Sequence, residues 1–265
     1  MVLTGQGADE PLGGYPRHVA ARFYPIARAM WPLLQALPEK WMSSDRVARL
    51  RRIAATPEEA GRFVETLAVF SPAEAVSLTG HRAQLAALAE PVRKWLPAPN
   101  GGGKDAVNRL LIVDARLSLA DDLLIVADHT SMASGVELRV PFLDLEFLAL
   151  IEHMPGRYKI SRLGERKWLY RDAVEQLLPE QLRPALTGWK GRMGRKLGFS
   201  TPLDAWFRRW RAEDAQQFLL GRHARSPDYL SGGVVQRLLD DTRRDELPRE
   251  RQLMSLYVLE SWLRA

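Results

Sequence analysis

The chain has 265 residues, with 38 Lys+Arg against 32 Asp+Glu, for a formal net charge of +6. Apolar residues make up 46% and charged residues 26%, which excludes an intrinsically disordered chain and fits a folded globular one. Zero cysteines exclude a disulfide scaffold, a thiolate metal site and a cysteine nucleophile, and no apolar run approaches the roughly 18 residues of a membrane span.

In chain order, Val2-Leu3 reads as the end of a buried strand that runs into the turn Thr4-Gly5-Gln6-Gly7-Ala8-Asp9-Glu10. A strand needs backbone partners, yet helical patterns dominate after residue 16. We therefore expect the sheet that this strand belongs to to be missing from the chain. The N-terminus has neither a basic region nor an apolar core, so no secretory signal is read and a cytoplasmic protein is expected. Thr56-Pro57-Glu58-Glu59, Ser71-Pro72-Ala73-Glu74 and Thr201-Pro202-Leu203-Asp204 share a helix-start pattern of capping hydroxyl, Pro at the first position and an acid in the first turn. Leu96 to Lys104, with Pro97, Pro99 and three glycines, predicts a loop or linker. Leu110 to Leu124, Phe142 to Met154 and Pro248 to Leu263 carry helical apolar spacing. Val136 to Val140 alternates apolar and charged residues, which predicts a short extended segment with Glu137 and Arg139 on one face.

Three clusters carry candidate chemistry. The first is Thr4-Gly-Gln-Gly-Ala-Asp-Glu10, followed by Gly13-Gly14-Tyr15. Its glycines allow positive φ, and successive N–H groups in such a turn form an anion-binding concavity. Acids beside an anion site make sense when Mg²⁺ bridges carboxylate and phosphate. A plain glycine-rich loop with an exposed acid pair is the alternative. The second runs from Asp121-Asp122 through Asp128-His129 to Glu137, Arg139 and Asp144. Glu137 and Arg139 either pair with each other or serve a pocket. His129 has no second histidine at ligand spacing, so zinc is not expected. The third is Lys167 in Gly164-Glu-Arg166-Lys167-Trp-Leu-Tyr-Arg171. With Gly164 as cap, Arg166 and Lys167 fall in the first helical turn, where cations oppose the helix dipole. Lys167 then sits at the edge of a buried stripe, either as a point charge on phosphate or as a snorkelling side chain.

The basic excess is local. Arg183, Lys190, Arg192, Arg195, Lys196, Arg208, Arg209 and Arg211 stand against Asp204 alone in one stretch. It reads as an anion-binding loop or as a solvated surface. Few aromatics interleave these residues, so a nucleic-acid partner is not expected.

Taken together, the segments resemble the asparagine synthetase (glutamine-hydrolysing) family. The resemblance is carried by Thr4-Gly-Gln-Gly-Ala-Asp-Glu with Gly-Gly-Tyr15, by Ser131 to Asp144 with its Val-Pro-Phe-Leu-Asp end, by Lys167-Trp-Leu-Tyr-Arg171, and by Lys196-Leu-Gly-Phe-Ser-Thr-Pro-Leu-Asp-Ala-Trp206. It implies a synthetase domain of the α/β ATP-pyrophosphatase fold, of which residues 1–265 are the mostly helical C-terminal portion. The early parallel strands and the glutaminase domain would then be absent. It also implies that aspartate attacks the α-phosphorus of ATP to give β-aspartyl-AMP, and that ammonia from glutamine displaces AMP. By resemblance Lys167, Gln6 and Glu10 are catalytic. Thr4, Gly5 and Gly7 contact the nucleotide, Asp122, Glu137 and Arg139 support the pocket, and Asp9 binds Mg²⁺.

The chain departs from the family pattern in three ways. It has no Ser-Gly-Gly-x-Asp-Ser pyrophosphate loop, Pro11 follows Asp-Glu, and Gln6 stands where a glutamate is usual. Gln cannot take a proton. Three alternatives to an asparagine synthetase therefore follow: a paralogue closing a β-lactam or cyclising a peptide, a partial chain that needs a complementing N-terminal polypeptide, and a non-catalytic helical adaptor that binds an acidic partner through residues 183–211.

Overall fold

The computed structural model describes residues 1–35, 45–81, 87–97, 105–181, 212–243 and 249–265. The basic stretch 183–211, the Thr201 helix start and most of the Leu96–Lys104 loop lie outside these residues. Among the described residues the chain is mostly helical, with one two-stranded parallel sheet. None of the described helices is long and apolar enough to cross a membrane. The chain divides into two units: Met1–Thr66 with Ala89–Lys196, and Leu67–Leu88 with Leu197–Ala265.

In the first unit, β1 (Val2–Leu3) pairs in parallel with β2 (Leu138–Arg139), Val2 opposite Leu138 and Leu3 opposite Arg139. Val2 N–H donates to the Glu137 carbonyl at 2.8 Å and Thr4 N–H to the Arg139 carbonyl at 2.9 Å. The expected extended segment is thus the partner of the expected strand. That strand is not buried, however: Val2 is 50% and Leu3 68% exposed. Parallel sheets bury their residues beneath covering layers, and the described sheet stops at two strands.

Helices α1 (Pro16–Ala29), α2 (Trp31–Gln35), α3 (Asp45–Ala55), α4 (Glu59–Leu67), α5 (Pro72–Thr79), α6 (Glu90–Trp95) and α7 (Ala106–Asp114) follow in the chain, α5 belonging to the second unit. Helix α4 begins later than its Thr-Pro pattern predicts. Thr56 is used by the preceding helix: its N–H and its hydroxyl both donate to the Arg52 carbonyl. Ser71 behaves as expected, accepting from Glu74 N–H while the Glu74 carboxylate accepts from Ser71 N–H. The unit's core joins Ala60, Phe63, Ala89, Val92, Leu110 and Val113, with Val107, Leu111 and Ile160 forming a second cluster.

The Leu110–Leu124 spacing is not one α-helix. It passes from α7 into a π-helical segment, Ala115–Leu123, and then into α8 (Leu124–Met132). Asp144 also moves a boundary. Its carboxylate accepts from the N–H groups of Glu146 and Phe147, so α9 runs Leu145–His153, and Pro141–Leu143 form a 3₁₀ turn instead of a first helical turn. Short α10 (Gly156–Lys159) and α11 (Trp168–Leu177) complete the unit.

At the junction of α7 with the π-helical segment, Asp114 is fully buried. It accepts two bonds from the Arg17 guanidinium, one from His18 Nε2 and one from the Ser118 hydroxyl. Burial pushes the Asp114 carboxyl up, but the hydrogen bonds from His18 and Arg17 outweigh it and hold the carboxyl below its usual range. Burial lowers the His18 imidazole against the pull of Asp114. Both groups therefore bind protons more readily in the unfolded chain, and stability falls as pH falls. The His18 contribution is fully present above about pH 6.5 and is lost as pH drops through the lowered folded value. The Asp114 contribution is lost further down, below about pH 3.9. The melting temperature should fall on acidification from pH 7, and the first part of that fall should be absent in His18→Gln. Asp114→Ala, which strands the Arg17 cation, should cost about 3–5 kcal/mol by chemical denaturation.

The second unit packs α5 with α12 (Ala212–Leu220), α13 (Gly232–Arg243) and α14 (Glu250–Arg264) around Leu78, Leu219, Val235, Leu239, Leu253 and Leu256. Its buried carboxylate, Glu260, accepts from Arg225 N–H, Ser226 N–H and the Arg264 guanidinium, and so ties the loop after α12 to α14.

Candidate active site

The turn after β1 carries the first group of candidate residues, Thr4 to Glu10. Parallel pairing of β1 with β2 sets Thr4 beside Arg139, and Glu137 and Arg139 form an ion pair of 2.6 Å, both side chains exposed. Gly7 has φ +78, and a Cβ there would lie 2.4 Å from Leu143 Cδ2. The turn therefore packs on the Val-Pro-Phe-Leu-Asp segment because residue 7 has no side chain. Phe142, on the same segment, meets Tyr170 of α11 edge-on at 5.7 Å between ring centres. One cluster of contacts thus joins the three sequence motifs.

Lys167 is placed differently from the sequence reading. It is the N-cap of α11 and not a first-turn residue, with φ +53 and ψ 36. Among the described residues it is the only non-glycine with positive φ. Such a backbone costs energy, and in folds it concentrates where a side chain must be aimed. Lys167 Nζ lies 3.0 Å from Asp9 Oδ1, with the two side chains only 17% and 18% exposed. The expected Gly164 cap instead closes a turn against α1, where its Cβ would meet Val19 at 3.3 Å.

Room for this ion pair comes from Gly14. A Cβ at residue 14 would sit 1.8 Å from Asp9 Oδ1 and 2.6 Å from Lys167 Cε. Gly14 N–H also donates to the Asp9 carbonyl at 2.7 Å, and Arg166 donates to the Gly14 carbonyl at 3.0 Å. Burial lowers the neighbouring Arg171 guanidinium, with help from the Arg166 charge.

Glu10 is 1% exposed. One of its oxygens accepts the Tyr15 hydroxyl at 2.6 Å. The other, Oε2, is buried without a hydrogen-bond partner among the described residues, and so is Gln6 Oε1. Buried acceptors left open are costly and need a ligand or a donor to satisfy them. Asp122 stands apart, exposed on the π-helical segment. Behind the turn, a cleft of about 620 Å³ is lined by Pro11, Leu111, Leu119, Leu143, Leu148 and the buried Lys159.

Among the described residues, no group of three or more His, Asp or Glu is placed to hold a metal ion by itself. Mg²⁺ usually keeps waters and phosphate oxygens and takes only one or two carboxylates from the protein. Asp9 and Glu10, with the open Glu10 oxygen, fit that role. The donor set suits a Mg²⁺–phosphate group and not a bare ion.

The sequence reading passed over Arg17, His18 and Asp114, and gave Gly14 and Tyr15 no role of their own. Pro16 at a helix start with His18 in its first turn was the available signal. Asp114 gave none, since Arg17 and His18 lie almost a hundred residues away.

Asp9 on Lys167 and Glu10 on Tyr15 thus stand on the same glycine-rich turn. By comparison with known proteins, the chain belongs to the asparagine synthase family, whose model matches residues 1–264. It is 30% identical over 276 aligned residues to a protein of Mycobacterium tuberculosis (strain ATCC 25618 / H37Rv) that carries asparagine synthetase (glutamine-hydrolyzing) as a provisional name, covering 99% of this chain and 39% of the relative. It is 23% identical over 266 residues to asparagine synthetase (glutamine-hydrolyzing) 1 of Bacillus subtilis (strain 168), covering 99% of this chain and 40% of the relative. The chain thus spans about two fifths of the length of these relatives. No solved structure matches it.

Proposed function

We propose that the chain forms one wall of an ATP-dependent amide-forming site in the α/β pyrophosphatase architecture of a synthetase domain. The pyrophosphate loop and the sheet that continues from β1 would come from outside residues 1–265. The observation that carries this reading is the Lys167–Asp9 pair, set 3.0 Å apart beside Glu10 by a glycine that has no room for a Cβ. The family membership supports the same chemistry. The cytoplasmic location expected from the sequence goes with it.

In this reading a substrate carboxylate, aspartate or a related acid, attacks the α-phosphorus of ATP. The bond to pyrophosphate breaks and an acyl-adenylate forms. An amine, ammonia drawn from glutamine in the simplest case, then attacks the acyl carbon and AMP leaves. Bound Mg²⁺ would neutralise phosphate charge. Lys167 places an ammonium where negative charge builds during the first step, an electrostatic role. Asp9 orients Lys167 and would offer an oxygen to the cation. Thr4, Gly5 and Gly7 present backbone to the nucleotide. Glu137 and Arg139 rim the site from β2, and Asp122 belongs to its outer edge.

Gln6 favours a second reading. Its amide oxygen is buried and open, and an amide cannot take a proton from the incoming amine. A paralogue that activates another carboxylate, for ring closure or peptide cyclisation, would take that proton by another group.

The test is carboxylate-dependent exchange of labelled pyrophosphate into ATP. It is run on the chain alone and on the chain mixed with a polypeptide bearing Ser-Gly-Gly-x-Asp-Ser. Exchange with aspartate selects the first reading, and exchange only with another acid selects the second. A stable complex of the two polypeptides that exchanges nothing overturns both.

A further inference from the structure

Glu10 is held by contacts outside the motif that contains it. Its Oε1 accepts the Tyr15 hydroxyl. Tyr15 is clamped in turn on three sides. Its N–H donates to His18 Nδ1 at 3.2 Å, its ring lies 4.0 Å from the Arg17 guanidinium, and the His18 ring meets it edge-on at 5.4 Å. His18 and Arg17 both end on Asp114 of α7, in the interior.

These bonds fix the roles of their atoms. His18 Nδ1 accepts from Tyr15, so Nε2 carries the proton that goes to Asp114. The imidazole is thus locked in one tautomer between the two. A buried carboxylate whose second oxygen is open can rotate unless something fixes the first. The Tyr15 hydroxyl is the group that does so. Its ring alone would satisfy packing.

We propose that Tyr15 is a positioning residue for Glu10, kept in place by Asp114 through His18 and Arg17. The role in turnover rests on the amide-forming reading above. The relay itself is a property of the fold and is tested separately.

Tyr15→Phe keeps the ring contacts and removes only the hydroxyl. In the exchange assay kcat should fall roughly tenfold while KM for ATP holds, because Glu10 is misdirected and not removed. The melting temperature should stay close to that of the unaltered chain. Unchanged kcat in an active preparation overturns the positioning role. Inactivity of the unaltered chain in complex with the polypeptide that bears the pyrophosphate loop counts against the amide-forming reading alone, and the relay is then decided by proton NMR. A short phenol–carboxylate bond gives a downfield hydroxyl proton protected from exchange. That signal should vanish in Tyr15→Phe, which assigns it, and should exchange faster in Asp114→Asn. Arg17→Met, which removes the guanidinium from the partly exposed end of the relay, should do the same and covers the case in which Asp114→Asn does not fold. A signal unmoved in whichever of these variants folds, or no protected signal in the unaltered chain, overturns the proposal.

Discussion

Lys167→Met should lower carboxylate-dependent ATP–pyrophosphate exchange by about 10²–10³-fold, the usual loss when one preorganised group that stabilises transition-state charge is removed. Methionine keeps most of the volume and loses the ammonium. The substitution also leaves the Asp9 carboxylate, 18% exposed, without its 3.0 Å counter-ion. Two charges therefore go wrong at once: the transition state loses a cation, and the nearby acid repels the phosphates. A modest stability change is expected, because the pair is only partly buried and the αL backbone at residue 167 suits Met no better or worse than Lys. Exchange equal to that of the unaltered chain would remove Lys167 from the reaction.

Gly14→Ala should be nearly as damaging, although it adds one methyl group. That methyl has to occupy space 1.8 Å from Asp9 Oδ1 and 2.6 Å from both Asp9 Cγ and Lys167 Cε. The lysine chain can bend away. The short Asp9 side chain cannot do so without turning its carboxylate off the site. Misplacement of about 1 Å is enough for a loss on the order of 10²-fold, and the crowding should cost about 1–3 kcal/mol of stability. Gly233→Ala is the control. A Cβ there meets nothing within 4 Å, and the position is in α13, where alanine is the better helix former. Full exchange by Gly14→Ala would show that the Asp9–Lys167 contact is not needed.

Much of the local structure was legible in the sequence because it is set by near neighbours. Ser71 with Glu74 forms its box, and the Val136–Val140 alternation becomes β2. Boundaries failed where one residue could serve two elements. Thr56 closes α3 instead of opening α4, and Asp144 starts α9 three residues after its apolar pattern begins. Apolar spacing counts which faces recur and does not sense the width of a turn. The π-helical stretch at Ala115–Leu123 was therefore read as α-helix.

The sequence by itself determined which groups are available: a glycine turn with two acids, a lysine in a Lys-Trp-Leu-Tyr-Arg block, and a Val-Pro-Phe-Leu-Asp segment in the order of one family. These are covalent facts, and the chemistry of each side chain goes with it. Only the tertiary structure decided that Lys167 caps its helix with positive φ and reaches Asp9, that the space for this belongs to Gly14, and that Glu10 is gripped by Tyr15. Those outcomes depend on contacts between residues up to about 150 positions apart, such as Arg166 on the Gly14 carbonyl. The energy of each contact exists only once packing has brought its partners within a few ångströms.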